Sequence, residues 1–369
     1  MAGPMSVNQA KVARYPDHQT DHRRPGGVLG KGVGLVKARA VHFVAPRRVE
    51  LREVELPAPA EGQLLVAAEW SGISSGTELL AYRGEIDPDL PLDETLGALA
   101  GTFAYPFRYG YSAVGRVVRP AAGFREGQLV FAFHPHQDRF VVDAPDAMAV
   151  DGPEARVATM YPMVETALQV SLDAAPRLGE VAVVTGLGAV GILVAALLGR
   201  TGAAVLGSEP EPARRAAAGR FGVRALAPDA LAGAVAEATG GRGADLVVEA
   251  SGNPDGLAGS LGLLAHEGTA LVCSWYGIRP APLPLGGAFH RRRLAIRGTQ
   301  VSSIPAALGA RWDRGRRARL AWRLLRELPV AVLCTHEFPF EAAAEAYAHT
   351  DRKQDGLIHA ALAYPGGTP

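Results

Sequence analysis

The run Val181-Ala-Val-Val-Thr-Gly-Leu-Gly-Ala-Val-Gly191 carries an apolar strand straight into Gly186-x-Gly188-x-x-Gly191 and then into an apolar helix. No other stretch constrains the fold as strongly. Gly186 permits a tight turn, Gly188 lets the backbone approach a pyrophosphate, and Gly191 allows the helix to close on the strand. The amides of Leu187, Gly188, Ala189 and Val190 are expected to be free at the positive end of that helix, where phosphates bind. In a chain of 369 residues with 44 glycines the spacing alone is a weak signal. The context strengthens it. After a helical segment from Ile192 to Thr201, a second strand, Ala203-Ala-Val-Leu-Gly-Ser-Glu209, ends in a carboxylate 18 residues beyond Gly191, where an adenosine ribose would lie. Glu209 would accept hydrogen bonds from a ribose 2′-hydroxyl and repel a 2′-phosphate, which favours NAD over NADP. Arg214 and Arg215 follow, and a guanidinium turned toward the ribose would accommodate the phosphate. Their plainer reading is two solvated residues on the next helix.

A chain of this length, 48% hydrophobic, holds two domains or one large one with ample core. Its net charge of +1 gives no electrostatic case for nucleic acid or a membrane as the main partner. Cys273 and Cys334 cannot build a disulfide framework, and no apolar run is long enough for a membrane span, so the cytosol is the expected compartment. Residues 1–36 mix Pro, Gly, His, Asp and Arg without periodicity and read as a disordered extension. His18, Asp21 and His22 in it read as parts of a flexible polar tail rather than as metal ligands.

From about Ala38 to Asp151 the texture is short strands broken by turns: Arg39 to Val44, Gln63 to Ser71, Tyr111 to Arg119, Gln128 to His134 and Arg139 to Val142. From Tyr161 strands and helices alternate. The strands expected are Val181 to Thr185, Ala203 to Ser208, Arg224 to Ala227, Ala244 to Ala250, Thr269 to Trp275 and Leu294 to Gly298, which describe a doubly wound parallel sheet. Ala306 to Leu328 has helical spacing, and β texture returns at Leu357 to Ala363.

Five segments carry a resemblance: Gly72-Ile-Ser-Ser-Gly-Thr-Glu78, Arg108-Tyr-Gly-Tyr-Ser-Ala-Val-Gly-Arg-Val-Val118, the glycine fingerprint, Val247-Val-Glu-Ala-Ser-Gly252, and the closing segment Phe338 to Tyr347. Over roughly residues 38 to 364 the chain resembles the medium-chain dehydrogenase/reductase family. Ser274-Trp-Tyr-Gly277, Phe289-His-Arg-Arg-Arg293 and Thr299-Gln-Val-Ser-Ser303 are similar to its zinc-binding, bacteriochlorophyllide dehydrogenase-like branch. The resemblance implies an α/β fold class: a Rossmann doubly wound parallel sheet plus a GroES-like, mostly-β domain. The domains expected are a GroES-like unit over 37–160, completed by 329–369, and a Rossmann NAD-binding unit over 161–328. Pairing of nucleotide-domain edges into a homodimer is a family expectation.

Zinc-dependent members take a cysteine from Gly-Ile-Cys-Gly-Thr-Asp, a histidine from Gly-His-Glu, and a Cys or Glu just before the nucleotide domain. Here those positions hold Ser75, Tyr111 and Pro162. A serine hydroxyl and a neutral phenol are poor zinc ligands and proline has no side-chain donor, so a catalytic zinc is not expected and no metal residue is assigned. No cysteine precedes Cys273, so the four-cysteine structural zinc lobe is absent too. Zinc lowers the pKa of a bound water from about 16 to about 7. Without it, a base must act in concert with hydride transfer, or the substrate must be activated by conjugation.

The resemblance supplies candidates around the vacant metal position. Thr77 matches the hydroxyl that relays the substrate proton, and Tyr111 would donate to a carbonyl oxygen with help from Ser75; the alternative is that Tyr111 merely plugs the space. His134, in Phe133-His-Pro-His136, is the preferred acid/base because an imidazole titrates near neutral pH. On an extended chain His134 and His136 project to one side, which leaves an unusual metal pair open. Glu78 and Glu165 fall near the cleft, with bonds to backbone or an arginine as their plain reading. Thr166, Ser251, Ser274, Trp275 and Val301 fall on segments that contact the ribose or the nicotinamide, and strand-end packing is the alternative for each.

Arg291, Arg292, Arg293, Arg297, Arg311, Arg314, Arg316, Arg317 and Arg319 cluster with few acids among them. Guanidinium forks suit an anionic small-molecule substrate; a solvated helix face or a subunit contact is the alternative. The leading expectation is an NAD(P)-dependent oxidoreductase interconverting an alcohol and a ketone without the usual zinc. A reductase of a conjugated alkene or quinone is the second, and a non-catalytic dinucleotide-binding protein the third.

Overall fold

The computed structural model describes residues 35–352 and 355–365. The extension expected over residues 1–36, with His18, Asp21 and His22, lies outside the described residues, apart from Leu35 and Val36; Val36 already opens the first strand.

The first part of the chain forms β1 (Val36–Ala45), β2 (Arg48–Leu56), β3 (Gln63–Ile73), α1 (Thr77–Arg83), β4 (Ala113–Arg119), β5 (Leu129–Ala132), β6 (Arg139–Asp143) and β7 (Ala147–Ala149). Two helices, α2 (Ala155–Ala158) and α3 (Tyr161–Ala174), lead to an alternating series. That series is β8 (Val181–Thr185), α4 (Ala189–Gly199), β9 (Ala204–Ser208), α5 (Pro212–Gly219), β10 (Arg224–Leu226), α6 (Pro228–Thr239), β11 (Ala244–Glu249), α7 (Pro254–Leu263), β12 (Leu264–Val272) and β13 (Ala295–Gly298). The chain closes with α8 (Arg314–Glu327), β14 (Cys334–Pro339), α9 (Ala343–Arg352) and β15 (His359–Ala363).

The second series makes one parallel sheet in the order β10-β9-β8-β11-β12-β13. Val181 to Val184 are all buried, the continuous apolar run of a strand covered on both faces. The strand order reverses between β8 and β11, so the glycine turn and Ser251 meet where such sheets open a ligand crevice. The other sheet runs β14-β15-β3-β4-β5-β7. β6 pairs with Gln63–Ala67 of β3, and β15 runs antiparallel to Trp70–Ile73 on the same edge. The end of the chain is therefore built into the sheet that its beginning starts. β1 and β2 form a separate hairpin.

Three expectations change. β2 was not expected as a strand. The strand expected from Thr269 to Trp275 ends at Val272, because the amides of Cys273 and Ser274 turn to the Glu249 carbonyl. The helix expected from Ala306 is only a single turn over Ala306–Leu308, and α8 starts afresh where the Asp313 carboxylate caps the Arg316 amide.

Candidate functional site

At the exit of β8, Gly186 has φ +87, and a Cβ there would stand 2.4 Å from the Ser251 Cα. A Cβ on Gly191 would stand 1.9 Å from the Gly186 oxygen. Both glycines are demanded by packing, of turn on strand end and of helix on turn. Gly188 differs, because nothing lies within 4 Å of the Cβ it lacks. That open space at the N-terminus of α4 fits a pyrophosphate, with Ala189 and Val190 in the first turn.

The expectation of four free amides is corrected at Leu187, whose N–H donates to Glu209 Oε2 at 2.8 Å. Glu209 is buried, and its Oε1 accepts the Glu211 amide at 3.1 Å. A buried carboxylate needs such donors, and the turn amide is the nearest one. Nor are the two arginines simply solvated. Arg214 Nε and Nη2 hold the Leu357 carbonyl at 3.0 and 2.7 Å, with Nη1 3.9 Å from Glu209 Oε1. Arg215 Nη1 holds the carbonyls of Glu209 and Pro210 at 2.7 and 2.6 Å.

Beyond β11, the Ser251 N–H and hydroxyl both donate to Glu249 Oε1, and the Gly252 amide donates to Ser274 Oγ at 2.8 Å. Tyr276 donates its phenol to Glu249 Oε2 at 2.5 Å. Trp275 is 42% exposed and meets Phe103 of the other sheet's loops edge to face at 6.1 Å. Thr166, on α3, and Val301, in the turn after β13, are half-buried. Glu249 and Tyr276 were not singled out from sequence, although Glu249 sits inside a quoted motif. A lone acid closing an apolar strand gives no sign of its partners.

Thr77 opens α1. The Ser74 and Thr77 side chains lie near the Tyr111 phenol and partly offset the rise that burial imposes on its pKa. Ser74 is buried, its amide held by Glu78, while Ser75 is half-exposed. Tyr111 packs against the apolar clusters of both sheets. Burial holds its phenol far above the ordinary value, with the Glu78 charge adding to the shift, so it stays protonated at neutral pH.

The reason for preferring His134 does not survive. Its ring stacks on Phe140 at 4.4 Å, Nδ1 lies 3.0 Å from the Pro135 carbonyl, and burial lowers its pKa to about 4, so it does not titrate near neutrality. His136 has both ring nitrogens engaged, by Ser71 Oγ at 2.6 Å and Glu78 Oε2 at 2.9 Å, which leaves neither for a metal shared with His134.

The arginine cluster mostly anchors the chain. Arg317 is 4% exposed and bonds Glu165 Oε1 at 3.1 Å and Gln169 Oε1 at 2.6 Å across to α3. Arg292, Arg297, Arg314 and Arg316 each hold a backbone carbonyl, and Arg293 pairs with Glu267.

The donor set at Ser75, Tyr111 and Pro162 does not fit a zinc ion: Tyr111 is a phenol that burial keeps neutral, and Pro162 is embedded in the first turn of α3. Among the described residues no group of three or more His, Cys, Asp or Glu gathers as a metal site.

Residues 189–313 match the family model described as zinc-binding dehydrogenase. The chain is 26% identical to the D-guloside 3-dehydrogenase of Escherichia coli K12 over 306 residues, 76% of this chain and 86% of that one. It is 28% identical over 332 residues to the 2-desacetyl-2-hydroxyethyl bacteriochlorophyllide A dehydrogenase of Rhodobacter capsulatus, covering 85% and 94%. The crystal structure of 2R,3R-butanediol dehydrogenase from Bacillus subtilis superposes with a TM-score of 0.71 at 17% identity, covering 88% of this chain and 99% of that one. Parallel sheet, glycine turn, a first sheet completed by the C-terminus and these likenesses agree: the chain is a dehydrogenase/reductase similar to the medium-chain dehydrogenase/reductase family.

Proposed function

We propose that the protein interconverts a secondary alcohol and its ketone with NAD, and that hydroxyl groups rather than zinc hold the substrate oxygen. The observation that carries this reading is the protonated Tyr111 phenol, near the Ser74 and Thr77 side chains at the place where zinc-dependent relatives have a ligand. NAD held at the turn of Gly186, Gly188 and Gly191 would supply the hydride chemistry. In ketone reduction Tyr111 donates its proton to the substrate oxygen, where negative charge develops, and is reprotonated from water through the Thr77 hydroxyl; alcohol oxidation runs the same proton path in reverse, to water. His134, neutral, lines the pocket without acting as the base. Glu209 supports NAD over NADP: its carboxylate is held at the end of β9, and Arg214 and Arg215 are committed to backbone carbonyls. The reading keeps the division into 37–160 with 329–369 and 161–328. It includes a homodimer through the outer edge of β13, the last strand of its sheet, which light scattering checks. The substrate is a small molecule; the guloside and hydroxyethyl bacteriochlorophyllide for which relatives are named make ring-bearing secondary alcohols the first to try.

One observation favours the second reading, reduction of a conjugated alkene or quinone. With His134 pushed to about 4, no imidazole base is poised there for an alcohol, whereas hydride addition to a conjugated carbon needs only a weak acid.

The test is elemental analysis of purified protein with NAD and NADP titrations, then a chelator-treated screen of methyl glycosides, aldonates, 2,3-butanediol, enones and quinones. Metal-free turnover of an alcohol, reduced on the order of a hundredfold by Tyr111→Phe with NAD affinity unchanged, is expected. A stoichiometric metal needed for turnover, or full activity in Tyr111→Phe, refutes the reading.

A further inference from the structure

Behind the hydroxyl cluster lies a run of polar side chains with no access to solvent. Glu78 is fully buried; its Oε1 accepts the Ser74 amide at 3.0 Å, and its Oε2 accepts the Tyr347 phenol at 2.5 Å and lies 2.9 Å from His136 Nε2. His136 is fully buried too, and its Nδ1 lies 2.6 Å from Ser71 Oγ, itself 2.8 Å from the Tyr364 phenol. A carboxylate only accepts, so Nε2 is the donor to Glu78. Tyr364, Ser71, His136 and Glu78 are thus hydrogen-bonded in series.

This series touches both sides of Tyr111. On one side, Glu78 fixes the Ser74 amide and with it the turn that brings the Ser74 and Thr77 hydroxyls near the phenol. On the other, the His136 ring lies against Gly110, the residue before Tyr111, so closely that a Cβ there would stand 2.6 Å from Cδ2 and Nε2. The backbone adds a contact, His136 N–H to the Tyr109 carbonyl at 3.4 Å. A buried carboxylate and imidazole are costly to desolvate, and packing alone would be served as well by apolar side chains of the same volume.

We infer that Glu78 and His136 are positioning residues for Tyr111. Resting on the reading of Tyr111 given above, the inference adds what aims the phenol: the Glu78–His136 pair sets its direction on the substrate oxygen, supplying the orientation a bound metal gives elsewhere. Two segments distant in sequence, at Tyr347 and Tyr364, complete the pair.

A kinetic double-mutant cycle tests this, using the best alcohol of the panel above, with NADH affinity from fluorescence titration as a second readout. His136→Leu removes the donor to Glu78 at similar volume. It is expected to lower kcat at least tenfold with KM and NADH affinity within threefold, and His136→Gln, which keeps a donor, to recover part of the loss. In the Tyr111→Phe background His136→Leu is expected to cost less than threefold more, because the group it aims is gone. The same fold loss in both backgrounds, or a loss of NADH affinity that parallels kcat, overturns the inference. Should His136→Leu fail to fold, Ser71→Ala, which removes only the partner of Nδ1, takes its place in the cycle with the same reading. The two readings fail separately: full activity of Tyr111→Phe alone refutes the role of the phenol, whereas an impaired Tyr111→Phe with additive losses refutes only the positioning pair.

Discussion

Two buried imidazoles tie stability to pH at the scale of single residues. His134 stacks on Phe140, and His359 is packed so closely on Gly72 that a Cβ there would stand 2.9 Å from its Cε1. Burial lowers both pKa values from 6.5 to about 4. Between pH 6.5 and 4 the unfolded chain binds protons that the folded one refuses, so stability is full above that window and falls as the pH drops through it. At 1.36 kcal/mol per unit each histidine contributes roughly 3 kcal/mol to that fall. Urea unfolding at pH 7 and pH 4.5 checks this, and His134→Phe is expected to show the smaller difference; equal differences in the two proteins refute it for His134. Arg317 offers a second case. With Glu165 and Gln169 as its buried partners, Arg317→Met leaves a carboxylate unpaired and is expected to cost about 3–5 kcal/mol, most of it recovered in Arg317→Met/Glu165→Met. Additive losses in the double variant would show that the pair is not the source.

The glycine turn shows how one element serves two purposes with three identical residues. Gly191→Ala forces a Cβ onto the Gly186 oxygen 1.9 Å away and is expected to lower the melting temperature sharply or abolish soluble expression. Gly188→Ala meets open space and is expected to keep the wild-type melting temperature while NAD affinity falls at least tenfold. Calorimetric melting and NAD titration separate the two; unchanged affinity in Gly188→Ala would mean that the pyrophosphate does not lie there. The same local logic explains the broken helix before α8: apolar spacing runs from Leu308 to Leu324, but Asp313 captures the Arg316 amide and starts a new helix.

In the whole molecule the C-terminal segment closes the structure. β15 pairs with β3, Arg214 on α5 holds the Leu357 carbonyl, Tyr347 donates to Glu78, and Tyr364 is hydrogen-bonded with Ser71. Truncation after Leu333 removes β14, α9 and β15 together, bares one edge of β3 and leaves Glu78 short of a donor. The product is expected to aggregate, as size-exclusion chromatography and circular dichroism would show; a monodisperse product with the helix and strand signature of the full chain would refute it. The sequence by itself determined the parallel sheet and its turn, because continuous apolar runs and the geometry of a tight strand-to-helix turn are local properties that adjacent residues carry. Only the tertiary structure decided which serine lies near Tyr111, that Arg317 is an internal anchor, that His134 is too buried to titrate near neutrality, and that Glu78 and His136 stand behind the phenol. Those facts depend on burial and on contacts such as Glu78 with His136, 58 positions apart, and Ser71 with Tyr364, 293 apart, and no local pattern records which distant side chain will occupy the other end of a hydrogen bond.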